Sequence, residues 1–115
     1  MNILGKEINY SFSNIDNLEK IKKAYTEMQD VQLQGEDFIE VMKNYCNSVR
    51  NFVNVIFGDD FDKELFGDTN DYEIMTDAVV EISEEFIKNK MSLDAKYEKL
   101  NKKYSKNRIK RWTYY

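Results

Sequence analysis

Residues 51–71 read N-F-V-N-V-I-F-G-D-D-F-D-K-E-L-F-G-D-T-N-D, with two Phe-Gly-Asp units nine residues apart, Phe57-Gly58-Asp59 and Phe66-Gly67-Asp68. Each unit reads as one helix ending and another beginning. Glycine accepts the left-handed conformation that closes a helix, and an Asp or Thr just after it can cap the next one. Between the two stops lies a short amphipathic turn from Asp60 to Leu65. Phe61, Leu65 and Phe66 are its apolar residues and fall roughly on one side. The stretch is expected to form a compact corner that folds two longer helices against each other. Phe57, Gly58, Phe61, Phe66 and Gly67 are its structural residues.

The helix entering the corner is expected from about Glu36 to Ile56. Phe38, Met42, Tyr45, Val49, Phe52 and Ile56 repeat at steps of four and three. That seam is close to a heptad and needs a helical partner, inside the chain or outside it. Glu36, Asp37 and Glu40 suit the positive end of its dipole. Cys46 flanks the seam, with no His or basic residue beside it to lower its pKa, and reads as a small buried apolar residue. The helix leaving the corner is expected to begin at Thr69 or Asn70, with Asn70 and Glu73 in capping-box spacing. Tyr72, Met75, Val79, Ile82 and Phe86 form its apolar face, widened by Ile74 and Ala78, with Asp77, Glu81, Glu84 and Glu85 on the wet side.

Further upstream, Ser13 or Asn14 caps a first helix that carries Leu18, Ile21, Tyr25 and Met28 on one face and fades near Gln29 to Val31. Ile8, Tyr10 and Phe12 alternate with Asn9 and Ser11, the period of a half-buried strand. Ile3-Leu4, just before Gly5-Lys6, would be the other arm of a small hairpin. Past Phe86 the composition changes. Residues 1–87 hold 7 Lys and Arg against 19 Asp and Glu, a balance of −12, whereas residues 88–115 hold 10 against 2, a balance of +8. Ser92 restarts or merely interrupts the helix. Leu93, Tyr97, Leu100 and Tyr104 continue a narrower stripe among Lys96, Lys99, Lys102, Lys103 and Lys106. The expected fold is mainly α: three main helices, a basic C-terminal helix and a short N-terminal β element. Residues 1–87 form an acidic helical domain, and 88–115 a basic amphipathic helix and tail, within that domain or extending it.

The 115 residues suit one domain, and 42% apolar residues supply a real core. Proline is absent, which fits long helices, and one cysteine excludes an internal disulfide and points to a reducing cytosol. No apolar run reaches the roughly 18–20 residues that span a bilayer, and the N-terminus lacks a signal-peptide layout, so no membrane partner is expected.

Histidine is absent, which removes the commonest general base and any Ser-His or Cys-His nucleophile. No Gly-rich phosphate loop is present. The acidic run Asp59, Asp60, Asp62, Glu64, Asp68 and Asp71 fails the EF-hand pattern. Counting from Asp60, Leu65 stands where glycine is required; counting from Asp68, Tyr72 stands at a ligand position. Helix capping and solvation account for these carboxylates. No catalytic residue, metal ligand or cofactor is expected, and the chain does not read as an enzyme. The basic tail has three readings. It binds nucleic acid, with Tyr104, Trp112 and Tyr114 stacking on bases; it lies as an amphipathic helix in a partner's groove; or it is a solvated charged face. The acidic body opposes the first. For partner binding the candidate residues are Tyr97, Leu100, Lys103, Tyr104, Arg108, Arg111 and Trp112.

The opening Ile3-Leu4-Gly5-Lys6-Glu7-Ile8-Asn9-Tyr10-Ser11-Phe12 resembles the start of the small tail assembly chaperones of long-tailed bacteriophages of Gram-positive hosts. The run F-V-N-V-I-F-G-D-D-F-D-K-E-L-F-G-D, Phe52 to Asp68, is similar to their pattern of an apolar helix, Phe-Gly, an acidic short turn and a second Phe-Gly. The resemblance covers residues 1–87 in order of elements and leaves the basic tail unmatched. It implies a non-enzymatic protein of the host bacterial cytoplasm. Such a protein coats the tape measure protein and keeps it soluble until tail-tube subunits displace it. In related phages a frameshift yields a longer product with a tube-binding extension. A binder of this kind uses many weak copies, so a homo-oligomer is a further expectation. The seam from Phe38 to Ile56 or the stripe from Tyr97 to Tyr104 would supply the apolar contact. The alternative class is a small cytoplasmic regulator that binds nucleic acid through its basic tail.

Overall fold

Apolar residues recur at helical spacing along the chain, and among the described residues the computed structural model turns them into four helices behind a minimal hairpin: β1 (Asn2–Ile3), β2 (Lys6–Glu7), α1 (Ile15–Val31), α2 (Phe38–Phe57), α3 (Phe61–Phe66) and α4 (Tyr72–Trp112). The structure describes residues 1–31 and 35–112, and the side chains of 1–30 and 35–103. The protein is mainly α, as its periodicity requires.

Asn14 starts α1, its side-chain oxygen accepting the Asn17 N–H at 3.2 Å. Asp37 does the same for α2, accepting the Glu40 N–H at 2.8 Å from an extended backbone. The α2 helix therefore begins at Phe38, just inside the expected start at Glu36. Ile21, Ala24 and Met28 of α1 join Val49, Phe52, Val53 and Ile56 of α2 in the core. The ring of Tyr25 meets that of Phe52 edge-on at 4.9 Å.

The Phe-Gly doublet forms a return segment along α2. Gly58 (φ 121°) and Gly67 (φ 61°) both adopt positive φ, and their N–H groups close the preceding helices on the carbonyls of Asn54 and Lys63. Contacts then step backwards along α2: Asp62 meets Asn54, Gly67 and Thr69 meet Arg50, and Asn70 meets Cys46. The chain thus returns towards the start of α2 before α4 begins. Tyr72 packs on Tyr45 with ring centres 4.8 Å apart, and Thr76 shares a hydrogen bond with the Tyr45 hydroxyl at 3.0 Å. Farther on, Ser83 pairs with the Tyr25 hydroxyl, and Phe86 lies 6.2 Å from Phe12. Since Tyr25 also touches Phe52, α2 and α4 run in the same direction.

Two details of the expected layout are corrected. The cap of α4 is Asp71, whose Oδ1 accepts the N–H groups of Glu73 and Ile74 at 2.9 and 3.1 Å. The Thr69 and Asn70 carbonyls are engaged by Arg50 and Cys46, so those residues belong to the return segment and the helix starts later. At the N-terminus, the ladder pairs Asn2 with Glu7 and Ile3 with Lys6, around a two-residue turn in which Leu4 and Gly5 both have positive φ. Ile8 extends the pairing by one step, its N–H donating to the Met1 carbonyl at 2.8 Å and its carbonyl accepting from the Met1 amino group at 3.0 Å, whereas residues 9–12 join no ladder among the described residues. The alternation from Ile8 to Phe12 persists in burial, with Ile8 and Tyr10 half-buried and Phe12 buried against the helices. Ile3 is fully buried, and the Leu4 N–H donates to the Glu81 carboxylate at 2.7 Å, so Glu81 holds the hairpin and does not belong to the wet side. Ile74, expected to widen the buried face, is exposed.

The α4 helix continues through Ser92 without a break, so the third main helix and the basic helix are one element of 41 residues. At 1.5 Å per residue it is about 60 Å long, the same as the 60 Å long axis of the molecule. Among the described residues its buried ones are Met75, Ala78 and Ile82, and Phe86 is the last that packs against the core.

The return segment is fixed by Arg50, Asn54 and Asp62. Arg50 donates to Asp62 Oδ2 at 3.0 Å and to the carbonyls of Gly67 and Thr69, and its guanidinium lies 5.7 Å from the centre of the Phe66 ring. Asn54 donates to Asp62 Oδ1 at 2.9 Å and accepts the Asp62 N–H at 2.7 Å. Burial pushes the Asp62 carboxyl up. The hydrogen bonds from Asn54 and Arg50 and the Arg50 charge outweigh it and hold the group below its ordinary 3.8. A carboxyl depressed on folding contributes stability that is complete above its unfolded value and is lost as pH falls through the folded value. Arg50→Ala is expected to cost about 3 kcal/mol at neutral pH in urea melts, because it strands a buried carboxylate. Asp62→Asn is expected to be less stable than the parent at neutral pH, with the gap narrowing below about pH 4. A gap of constant size down to about pH 2 would contradict this role for the pair.

Candidate functional site

Apolar surface remains uncovered at both ends of the molecule. The first patch lies where α2 and α4 both begin. Along the near-heptad seam, Val49, Phe52 and Ile56 are buried, Tyr45 and Met42 half-buried, and Phe38 is 75% exposed. The seam thus finds its partner inside the chain at one end and runs into solvent at the other. Ile39, 66% exposed, adds to it. Phe38, Ile39, Met42, Lys43, Cys46, Asn47, Asn70 and Tyr72 line a cleft of about 490 Å³. Exposed carboxylates stand on both helix starts: Glu36, Asp37 and Glu40 on α2, and Asp68, Asp71 and Glu73 at the start of α4.

The second patch is the projecting part of α4. Tyr97 and Leu100 are 60% and 52% exposed, and Leu93 is half-buried on the same stripe. Lys96, Lys99 and Lys103 follow one flank at steps of three and four and are exposed. Of the residues expected to bind a partner, Tyr97, Leu100 and Lys103 therefore share one accessible region. The side chains of Tyr104, Arg108, Arg111 and Trp112 lie outside the described residues. A further exposed apolar row, Val80, Ile87 and Met91, runs along another face of α4.

The corner residues sit between the two ends and position them. Phe57 packs edge-on against Tyr10 at 5.0 Å and on Phe61 at 4.7 Å, while Phe66 is buried beneath Arg50. Sequence reasoning missed the cleft. A signal was present: Phe38 and Ile39 are adjacent, about 100° apart on a helix, so both cannot enter one seam.

Cys46 forms part of the cleft floor. It is buried, and its thiol lies 3.6 Å from the Asn70 carbonyl. Burial pushes the thiol up; Arg50, one turn along, pulls it down, and Asp71 adds to the rise. The basic neighbour absent from the immediate sequence is therefore present in space, but burial wins. Among the described residues, no group of three or more His, Cys, Asp or Glu side chains is placed to hold a metal ion. Among the same residues, no helix is long and apolar enough to cross a membrane.

These features define a small helical protein with a body of packed helices, an apolar cleft in an acidic surround and a long projecting helix. A family of unknown function, DUF6673, matches residues 4–115, and the chain belongs to that family. The match runs through the basic segment as well as the body. No curated protein and no solved structure matches the chain.

The buried thiol gives a direct probe of the cleft floor. Cys46 in the native protein is expected to react with a disulfide reagent at least about tenfold more slowly than in urea-unfolded chain at the same pH. Equal rates would mean that the floor is open to solvent.

Proposed function

We propose that the protein is a non-enzymatic chaperone that binds an elongated, apolar helical client through reversible contacts. The client suggested by the resemblance of residues 1–87 is the tape measure protein of a long-tailed bacteriophage. The setting is the host bacterial cytoplasm, and tail-tube subunits are the later partner.

One observation carries the reading: α4 outlasts its own body. Its last buried residue among those described is Ile82, yet apolar residues recur at helical spacing through Leu93, Tyr97 and Leu100. An apolar stripe costs solubility unless something covers it. A helix with one apolar face is suited to lie along another helix. The surrounding lysines and the acidic body keep the complex charged and soluble.

The nucleic-acid reading is favoured by a separate feature. Lys96, Lys99 and Lys103 are on a helix segment that projects past the body. Beyond a screening length of about 8 Å at physiological salt, the acidic body repels phosphate only weakly.

Co-expression with a tape measure protein is the test. The full chain is expected to raise the client's soluble fraction severalfold, and Tyr97→Ser with Leu100→Ser to remove most of that gain while the protein itself stays folded. A client that stays insoluble with the full chain contradicts the proposal. Tight DNA binding that weakens steeply with salt, and is lost on Lys96→Glu with Lys99→Glu, would favour the second reading.

A further inference from the structure

The two uncovered apolar surfaces are opposite in charge and lie at opposite ends of the molecule. The cleft has an apolar floor of Phe38, Ile39, Met42 and Tyr72 with Glu36, Asp37, Glu40, Asp68, Asp71 and Glu73 nearby. The projecting α4 segment has Leu93, Tyr97 and Leu100, flanked by Lys96, Lys99 and Lys103. Two helix N-termini at the cleft contribute about half a positive charge each. Six carboxylates outweigh them and Lys43, which also lines the cleft, so the cleft region is negative. An apolar stripe with a basic flank is its complement in both shape class and charge.

From this we infer that the projecting segment of α4 in one copy docks in the cleft of a second copy, so that the protein associates head to tail. The second copy is required by the helix itself. Tyr72 at the cleft and Tyr97 on the stripe belong to one uninterrupted helix. The 25 helical steps from one to the other separate them by about 37 Å. A helix cannot fold back on its own first turn without breaking, and α4 is not broken. A cleft of about 490 Å³ is as large as pockets that enclose whole small molecules, about 300–1,000 Å³, so it has room for the side chains of Tyr97 and Leu100, which are presented.

Such an interface joins two different patches. It is heterologous, and each added copy leaves one cleft and one helix open, so association propagates into a row or closes into a ring. The contact is small, which makes it weak and reversible, and its charged part is screened by salt. The inference is independent of the client reading. A strict monomer that still keeps a client soluble would overturn only the self-docking.

Sedimentation velocity on the full chain, over roughly a hundredfold range of concentration, tests it with two variants. The cleft variant carries Phe38→Ser and Ile39→Ser; the tail variant carries Tyr97→Ser and Leu100→Ser. All four side chains are exposed, so both variants are expected to keep the parent circular dichroism and melting temperature. The full chain is expected to gain mass with concentration and to lose it with added salt. Each variant alone should associate at least about tenfold more weakly. Their equimolar mixture should form a one-to-one dimer that grows no further, since it contains one working cleft and one working helix per pair. A full chain that stays monomeric throughout overturns the inference. So does association that survives in either variant alone, or a mixture that stays monomeric.

Discussion

The guanidinium of Arg50 donates to the Asp62 carboxylate and to the carbonyls of Gly67 and Thr69, and the remaining architecture depends on that placement. Two neighbouring helices that run in the same direction need a connection that returns along the first before the second begins. Here that connection spans residues 58–71 and includes only the six-residue α3. Much of it is irregular backbone, whose carbonyls need partners once covered. Arg50 supplies two of those partnerships and neutralises the buried carboxylate that Asn54 also holds. With the return pinned, Asp71 lies where it caps α4, Tyr72 meets Tyr45, and the cleft forms between the two helix starts.

Most of the helical fold was legible in the residues. The steps of three and four from Phe38 to Ile56, and from Leu18 to Met28, describe faces that are largely buried. The Phe-Gly doublet marks where two helices end, and both glycines take positive φ. The direction of the return was not legible. Arg50 and Asp62 are twelve residues apart and look like ordinary surface charges until the chain doubles back along α2. The same long-range contacts moved the α4 cap from Asn70 to Asp71. At the N-terminus, alternation in residues 8–12 was read as a strand, but only Ile8 pairs, with Met1, and past it alternation reports only which side faces the core. The ladder formed where a two-residue turn at Leu4-Gly5 allowed it. On the candidate surfaces, the tail stripe was legible from its spacing, whereas the cleft required α2 and α4 to start side by side.

The composition shift after Phe86 acquires a physical meaning in the fold. Helical spacing of apolar residues continues, but among the described residues none after Ile82 is fully buried, and the net charge turns from negative to positive. The match to DUF6673 extends across this segment, so the projecting helix is part of what the family describes. Charge segregation of this kind keeps the apolar stripe off the chain's own body only if the helix is stiff. A continuous α4 is therefore the claim on which both the client reading and the self-docking rest.

That claim has a direct measurement in the distance between spin labels at Asp77→Cys and Lys99→Cys, in a Cys46→Ser background diluted into unlabelled protein. Both positions are exposed and lie on one side of α4. A continuous helix places them about 33 Å apart with a narrow distribution. A mean below about 25 Å, or a broad distribution, would mean that the helix breaks and the tail folds back, and would contradict the account.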